Sequence, residues 1–312
     1  MDYRDVIKEI GRGKAGARDL PYAPAHALFG AMLDGEVPEL ELGAIVLAYR
    51  IKGETTVELK AFLDAIDARL NKVSVAAPAI VIPTYNGARH SPNLVPLLAL
   101  ALRDAGFKVL VHGVAADPKR IATADIFAAL EIPSCRDAND ATRRLARDGL
   151  AFITIERIAP GLARLLDLRW RLGVRGSGHT ACKMIQPFSG AALQLVSVTH
   201  PEYLAAMREY FTTHPAQVLL MRGTEGEAVA NAKRPQAIEW LHAGAIETIV
   251  PAFEGSIAAA PPLPASLDAG VTATWIAAVR AGAIPMPSAI TAQIAAVRRV
   301  MAAPNFSKQV AA

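Results

Sequence analysis

The residues best suited to chemistry in this 312-residue chain are arginines. Between positions 157 and 183 stand Arg157, Arg164, Arg169, Arg171, Arg175 and Lys183, against the single acid Asp167. That local excess exceeds the net charge of +4 for the whole chain, so the remainder is close to neutral and the positive field is concentrated. A guanidinium plane presents paired N–H donors that match phosphate oxygens two at a time. A row of them suits a regular phosphate array, as in nucleic acid, better than one small molecule, and counterion release would make such binding weaken with salt. On one continuous helix, Arg164, Arg171 and Arg175 would share a face opposite an apolar stripe of Leu165, Leu168 and Leu172. The plain alternative is a solvated helix face.

Other candidates are more scattered. Arg143, Arg144 and Arg147 are diluted by Asp137, Asp140 and Asp148. Arg89 adjoins His90, and Lys119 adjoins Arg120. Trp170 reads as a core residue before a base-stacking platform. His112 and His179 fit core or loop roles as well as functional ones, and no His is spaced from a Ser or Cys as in a catalytic dyad. Cys135 and Cys182 make neither a disulfide framework nor a zinc site and read as buried, reduced thiols.

Hydrophobic residues make up 52% of the chain and aromatics only 6%, which suits closely packed helices on a sheet. The pI of about 9.1 permits an anionic partner without demanding one. The charged start Met1–Asp5 leads into no signal-peptide core, and the longest uncharged stretches, 184–201 and 281–297, carry prolines and polar residues. A cytoplasmic protein with no membrane partner is expected.

Residues 1–72 read as four short helices with brief joints, the last running from Val57 to Leu70 behind a capping box at Thr55–Glu58. From Val73 the pattern changes. Apolar runs at Ala79–Ile82 (ended by Pro83), Lys108–His112, Phe152–Ile155, Leu193–Val198, Gln217–Met221 and Ala245–Val250 read as strands, and helices lie among them. The expected fold class is therefore α/β: a small all-helical domain, 1–72 plus about 160–185, beside a larger domain, 73–159 and 186–312, with a mostly parallel sheet. Ala259–Pro264 reads as a low-complexity loop.

The stretch from Ala27 to Ile66, above all Asp34-Gly35-Glu36 and Arg50-Ile51-Lys52-Gly53-Glu54-Thr55, resembles the N-terminal helical domain of anthranilate phosphoribosyltransferase and its nucleoside phosphorylase relatives. His112-Gly113, Ala124-Asp125 and Leu172-Gly173-Val174-Arg175 continue the match. The resemblance implies a homodimer through the helical domains and an active site in the cleft between domains. It also exposes three departures. The family's glycine-rich diphosphate loop becomes Pro83-Thr84-Tyr85-Asn86-Gly87, in which Thr84 fits, with Asn93 beyond. The second loop keeps His112 and Gly113 but has Val114-Ala115 where polar and cationic residues belong. The magnesium-holding carboxylates become Ala228 and Val229 in Arg222-Gly223-Thr224-Glu225-Gly226-Glu227-Ala228-Val229, leaving Glu225 and Glu227 as a conceivable slipped site.

A transferase scaffold with degraded loops and basic residues is similar to the YbiB family, "MRGTEGEAVA" and "HGVAADPKRIATADI" in particular. That resemblance implies nucleic-acid binding, DNA or RNA. The phosphate contacts would be Arg164, Arg169, Arg171, Arg175 and Lys183, with Arg89, Lys119 and Arg120 as further candidates. Arg169 and Arg175 also match arginines of the transferase acceptor pocket. No cofactor is expected on this reading. The rivals are a glycosyltransferase of altered donor or acceptor, using Mg²⁺ and phosphoribosyl diphosphate, and a scaffold for an acidic protein.

Overall fold

Asp2 starts the first helix, α1 (Tyr3–Ile10), by accepting the Arg4 N–H at 2.9 Å. This computed structural model describes residues 1–13, 15–75, 78–190, 192–214, 216–242, 244–257, 262–304 and Phe306. Next come α2 (Tyr22–Asp34), α3 (Glu39–Lys52) and α4 (Thr56–Asp67). Two expectations need correction. The α1–α2 joint extends from Gly11 to Pro21 and is not brief. Helix α4 ends at Asp67 rather than Leu70, because the N–H groups of Arg69 and Leu70 turn to carbonyls three residues back. The capping box forms as read: Thr55 and Glu58 exchange side-chain-to-backbone bonds.

The chain continues through β1 (Ala79–Thr84), α5 (Val95–Asp104), β2 (Lys108–Gly113), α6 (Thr123–Ala129), α7 (Ala138–Asp148) and β3 (Leu150–Thr154). Three helices interrupt the series: α8 (Ile155–Ile158), α9 (Pro160–Leu172) and α10 (Gly178–Ala181). Then follow β4 (Ala192–Ser197), α11 (Pro201–Thr213), β5 (Gln217–Met221), β6 (Ile238–His242), β7 (Ala245–Val250), α12 (Ala269–Arg280) and α13 (Ser288–Met301).

The chain divides into two compact units: a helical one, residues 1–71 and 155–187, and an α/β one, residues 72–154 and 188–312. Among the described residues the α/β unit holds a seven-stranded sheet in the order β3-β2-β1-β4-β5-β6-β7. The pairs from β3 to β5 are parallel, while β6 and β7 are antiparallel additions at one edge. Its core gathers alternate side chains such as Ile80, Ile82, Val109 and Val111 with Leu97, Leu98, Phe127 and Phe152 from the flanking segments.

Pro83 does not end β1, as its sequence context suggested; it continues the strand opposite His112. Pairing with β4 stops at Val81, so on that side no ladder bond requires the N–H that proline lacks. Strand β6 is absent from the apolar runs named above, and β3 stops at Thr154, one residue before the expected Ile155. Of the Ala259–Pro264 patch, 259–261 lie outside the described residues and 262–264 carry no regular structure. Both cysteines are buried thiols, and burial pushes the Cys135 thiol up to about 11. Among the described residues no helix is long and apolar enough to cross a membrane.

Candidate functional site

The loop after β1 forms a concave run of backbone N–H groups, and two carboxylates fill it. Glu227 Oε1 accepts the N–H groups of Asn86 at 2.7 Å and Gly87 at 2.6 Å. Glu225 accepts those of Arg89 at 2.8 Å, His90 at 2.7 Å and Ser91 at 2.9 Å. The Asn86 side chain returns a bond to the Glu225 carbonyl at 2.8 Å. Such a run of N–H groups is an anion-binding concavity. Gly87 permits it: its φ is +67°, and a Cβ there would sit 2.7 Å from the Ile121 carbonyl. Across from it, Glu225 adopts the left-handed region at φ +54°, uncommon for a residue with a side chain. Glu227 is 2% exposed, and its Oε2 has no hydrogen-bond partner.

Among the positions singled out from the transferase resemblance, Thr84 and Asn93 engage one another through Thr123, whereas His112 keeps a buried Nε2 without a hydrogen-bond partner. Thr84 and Thr123 hydroxyls lie 2.6 Å apart, and the Asn93 amide donates to Thr123 Oγ1 at 2.7 Å. Asn93 Oδ1 accepts the Val95 N–H at 3.1 Å. Gly113 lies opposite Thr84 on β2. His112 is fully buried, bonded through Nδ1 to the Tyr85 hydroxyl at 2.7 Å, and burial pushes its pKa down to about 3, so the ring is neutral. Of the cations here, Arg120 donates to the Asn86 carbonyl at 3.1 Å, while Arg89 and Lys119 are exposed.

In the helical unit the basic segment is not one row. Gly173, at φ +74°, terminates α9 after Leu172, so Arg175 lies beyond the helix and shares no helical face with Arg164 and Arg171. Arg164 donates to the Leu33 carbonyl at 2.6 Å. Arg171 makes a bidentate pair with Glu39 at 2.8 and 3.0 Å. Arg169, near the end of α9, and Arg175 and Lys183, beyond it, all bear electrostatically on His179. Burial, then the charges of Arg175 and Arg169, with Lys183 contributing less, push this imidazole down to about 3. Trp170 is not the core residue that its type suggested. It is 42% exposed, and the Arg169 guanidinium lies over its ring at 4.1 Å. The apolar stripe is likewise partial, with Leu165 buried and Leu172 38% exposed. On α7, Asp140 draws Arg136, Arg143 and Arg144 to itself, so that helix is largely self-neutralised.

Residues 4–69 match the family model described as "Glycosyl transferase family, helical bundle domain". Over 299 residues the chain is 42% identical to the protein YbiB of Escherichia coli K12, covering 95% of this chain and 93% of that one. The chain belongs to the YbiB family. This YbiB-family chain is also 27% identical over 244 residues to anthranilate phosphoribosyltransferase of Methylocella silvestris, covering 78% of this chain and 70% of the relative. Its fold is that of anthranilate phosphoribosyltransferase. The enzyme structure from Thermus thermophilus superposes with a TM-score of 0.70 at 22% identity, covering 100% of this chain and 93% of that one. The Saccharomyces cerevisiae enzyme in complex with PRPP and Mg gives 0.64 at 10% identity, over 99% and 97% of the two chains.

The residues of this YbiB-family member do not fit a magnesium diphosphate. Five N–H groups of the loop already bond to Glu225 and Glu227. An added polyanion there would meet two carboxylates. Ala228 and Val229, at the metal-holding positions, are buried and apolar. In the conceived slipped site, Glu225 commits both oxygens and Glu227 its Oε1 to backbone N–H groups, which leaves Glu227 Oε2 as the carboxylate oxygen without a hydrogen bond. Among the described residues no group of three or more His, Cys, Asp or Glu could hold a metal ion. The role of the two glutamates is not legible in local sequence, since their partners lie some 134–141 positions earlier.

Proposed function

We propose that this protein binds nucleic acid without sequence preference, as a cytoplasmic homodimer, and that it is not a phosphoribosyltransferase. The observation that carries the reading is the run of basic residues about the end of α9, where the Arg169 guanidinium lies 4.1 Å from the ring of the exposed Trp170 and Arg175 and Lys183 follow closely in the chain. Arg169, Arg175 and Lys183, whose charges all bear on His179, offer cations to backbone phosphates. Trp170, exposed beside Arg169, adds a face on which a base can stack. Arg164 and Arg171, held by Leu33 and Glu39, are secondary contacts, as are Arg89, Lys119 and Arg120. The filled loop after β1 weighs against transfer chemistry, so neither Mg²⁺ nor phosphoribosyl diphosphate is required.

Dimerisation rests on the outer side of α3. Leu40, Leu47 and Ile51 are 83%, 46% and 54% exposed and fall on one helical stripe. A second copy would cover it and bring two phosphate-binding sites onto one polymer, with a gain in avidity.

The variant Arg169→Ala/Arg175→Ala/Lys183→Ala tests the reading. Its affinity for a labelled single-stranded oligonucleotide falls by about tenfold or more, alike for all sequences. Undiminished affinity in the folded triple variant would refute the assignment of these three residues.

A further inference from the structure

Residues 86–91 and the loop 223–227 carry an inference that does not depend on where nucleic acid binds. The first loop presents five backbone N–H groups within six residues, all directed at carboxylate oxygens. Two features of the second loop are otherwise costly. Glu225 holds a left-handed backbone at φ +54°, and Glu227 is buried with Oε2 lacking any partner. Both make sense if the nest demands an anion and the chain supplies it. Proteins leave few buried N–H groups unpaired, and those of Asn86 and Gly87 are buried with no strand or helix to take them, while those of Arg89, His90 and Ser91 continue the run toward the surface.

We infer that residues 86–91 form an anion nest that Glu225 and Glu227 keep filled from within, so that a phosphate-class anion binds there only when those carboxylates are removed. The latch ties two loops of the α/β unit and makes the site refractory to external phosphate. The ligand class follows from the donors, which are uncharged, closely spaced N–H groups that recognise oxyanion oxygens.

The test compares the wild-type chain with Glu225→Ala/Glu227→Ala, using inorganic pyrophosphate without Mg²⁺ and sodium chloride at matched ionic strength. Calorimetry and thermal denaturation are read together. The variant gains saturable pyrophosphate binding about tenfold or more tighter than wild type, and pyrophosphate restores part of its lost Tm. Equal responses of the two proteins, or none in a folded variant, would overturn the inference. If the double variant does not fold, amide hydrogen exchange on wild type and Glu227→Gln decides. The variant exchanges about tenfold faster at Asn86 and Gly87, with Arg89, His90 and Ser91 unchanged. Unaltered exchange at Asn86 and Gly87 overturns it.

Discussion

Glu227 Oε1 lies 2.6 Å from the backbone nitrogen of Gly87, a residue 140 positions earlier in the chain. That contact joins the loop after β1 to the loop after β5 and places a negative charge against the loop that the transferase resemblance matched to a diphosphate loop. Glu225 repeats the arrangement on the next three N–H groups. The scaffold is retained while its anion site is satisfied internally. Under the proposed function, an external polyanion binds instead at the basic residues of the helical unit.

The two classes of arginine in the basic segment should separate by mutation. Arg171 spends its guanidinium on Glu39, at 65% and 78% side-chain exposure, so Arg171→Ala should alter thermal stability little and oligonucleotide affinity by no more than about twofold. Arg175→Ala should weaken binding by several times that factor. Fluorescence anisotropy on both single variants makes the comparison.

Gly113 is fixed by strand proximity rather than by φ. A Cβ there would come within 1.9 Å of the Thr84 carbonyl oxygen, across the β1–β2 ladder. Gly113→Ala should destabilise the α/β unit by about 2–4 kcal/mol, seen as a lower urea midpoint.

Glu58 is the centre of the helical unit. It is fully buried and accepts bonds from the Leu20 and Thr55 N–H groups, the Tyr49 hydroxyl and Lys52 Nζ, the last at 2.7 Å. Burial, with Glu58 beside it, pushes the Tyr49 hydroxyl pKa upward. Glu58→Ala removes the acceptor of the Leu20 and Thr55 N–H groups and the Tyr49 hydroxyl, while Lys52 keeps its ion pair with Asp19 at 2.7 Å, and a loss of about 2–4 kcal/mol in denaturant unfolding is expected.

Stability should fall on acidification before most carboxylates titrate. His112 and His179 are both depressed from 6.5 to about 3 in the fold. Between those values the unfolded chain binds protons that the folded chain does not. The stabilisation is therefore present above pH 6.5 and lost as pH falls toward 3, with a limiting slope of about 1.4 kcal/mol per pH unit for each ring. Chemical denaturation from about pH 7 to 5 should show the decline, and His112→Gln should remove one of the two contributions.

Local patterns were legible in the sequence where the physics is local. The Thr55–Glu58 box, the spans of β5 and β7, and the shift from helical to α/β patterning near residue 73 all depend on neighbours. Pro83 misled because its tolerance depends on β4 having stopped at Val81, a fact of sheet register. Trp170 misled because its type favours burial, yet its position near the end of α9 places it outward beside Arg169. The arginine row was overread because Gly173 breaks the helix between Arg171 and Arg175. The Glu225 and Glu227 contacts were invisible for another reason: no spacing rule connects a carboxylate to N–H groups well over a hundred residues away.

The central claim is tested most directly by titrating the wild-type protein against single-stranded DNA, double-stranded DNA and RNA across a series of salt concentrations. With about three phosphate contacts per site, the log of the single-strand binding constant should fall with log salt at a slope near −2, so affinity drops roughly tenfold or more between about 50 and 200 mM. Binding that is absent at low salt, or indifferent to salt, would contradict the account.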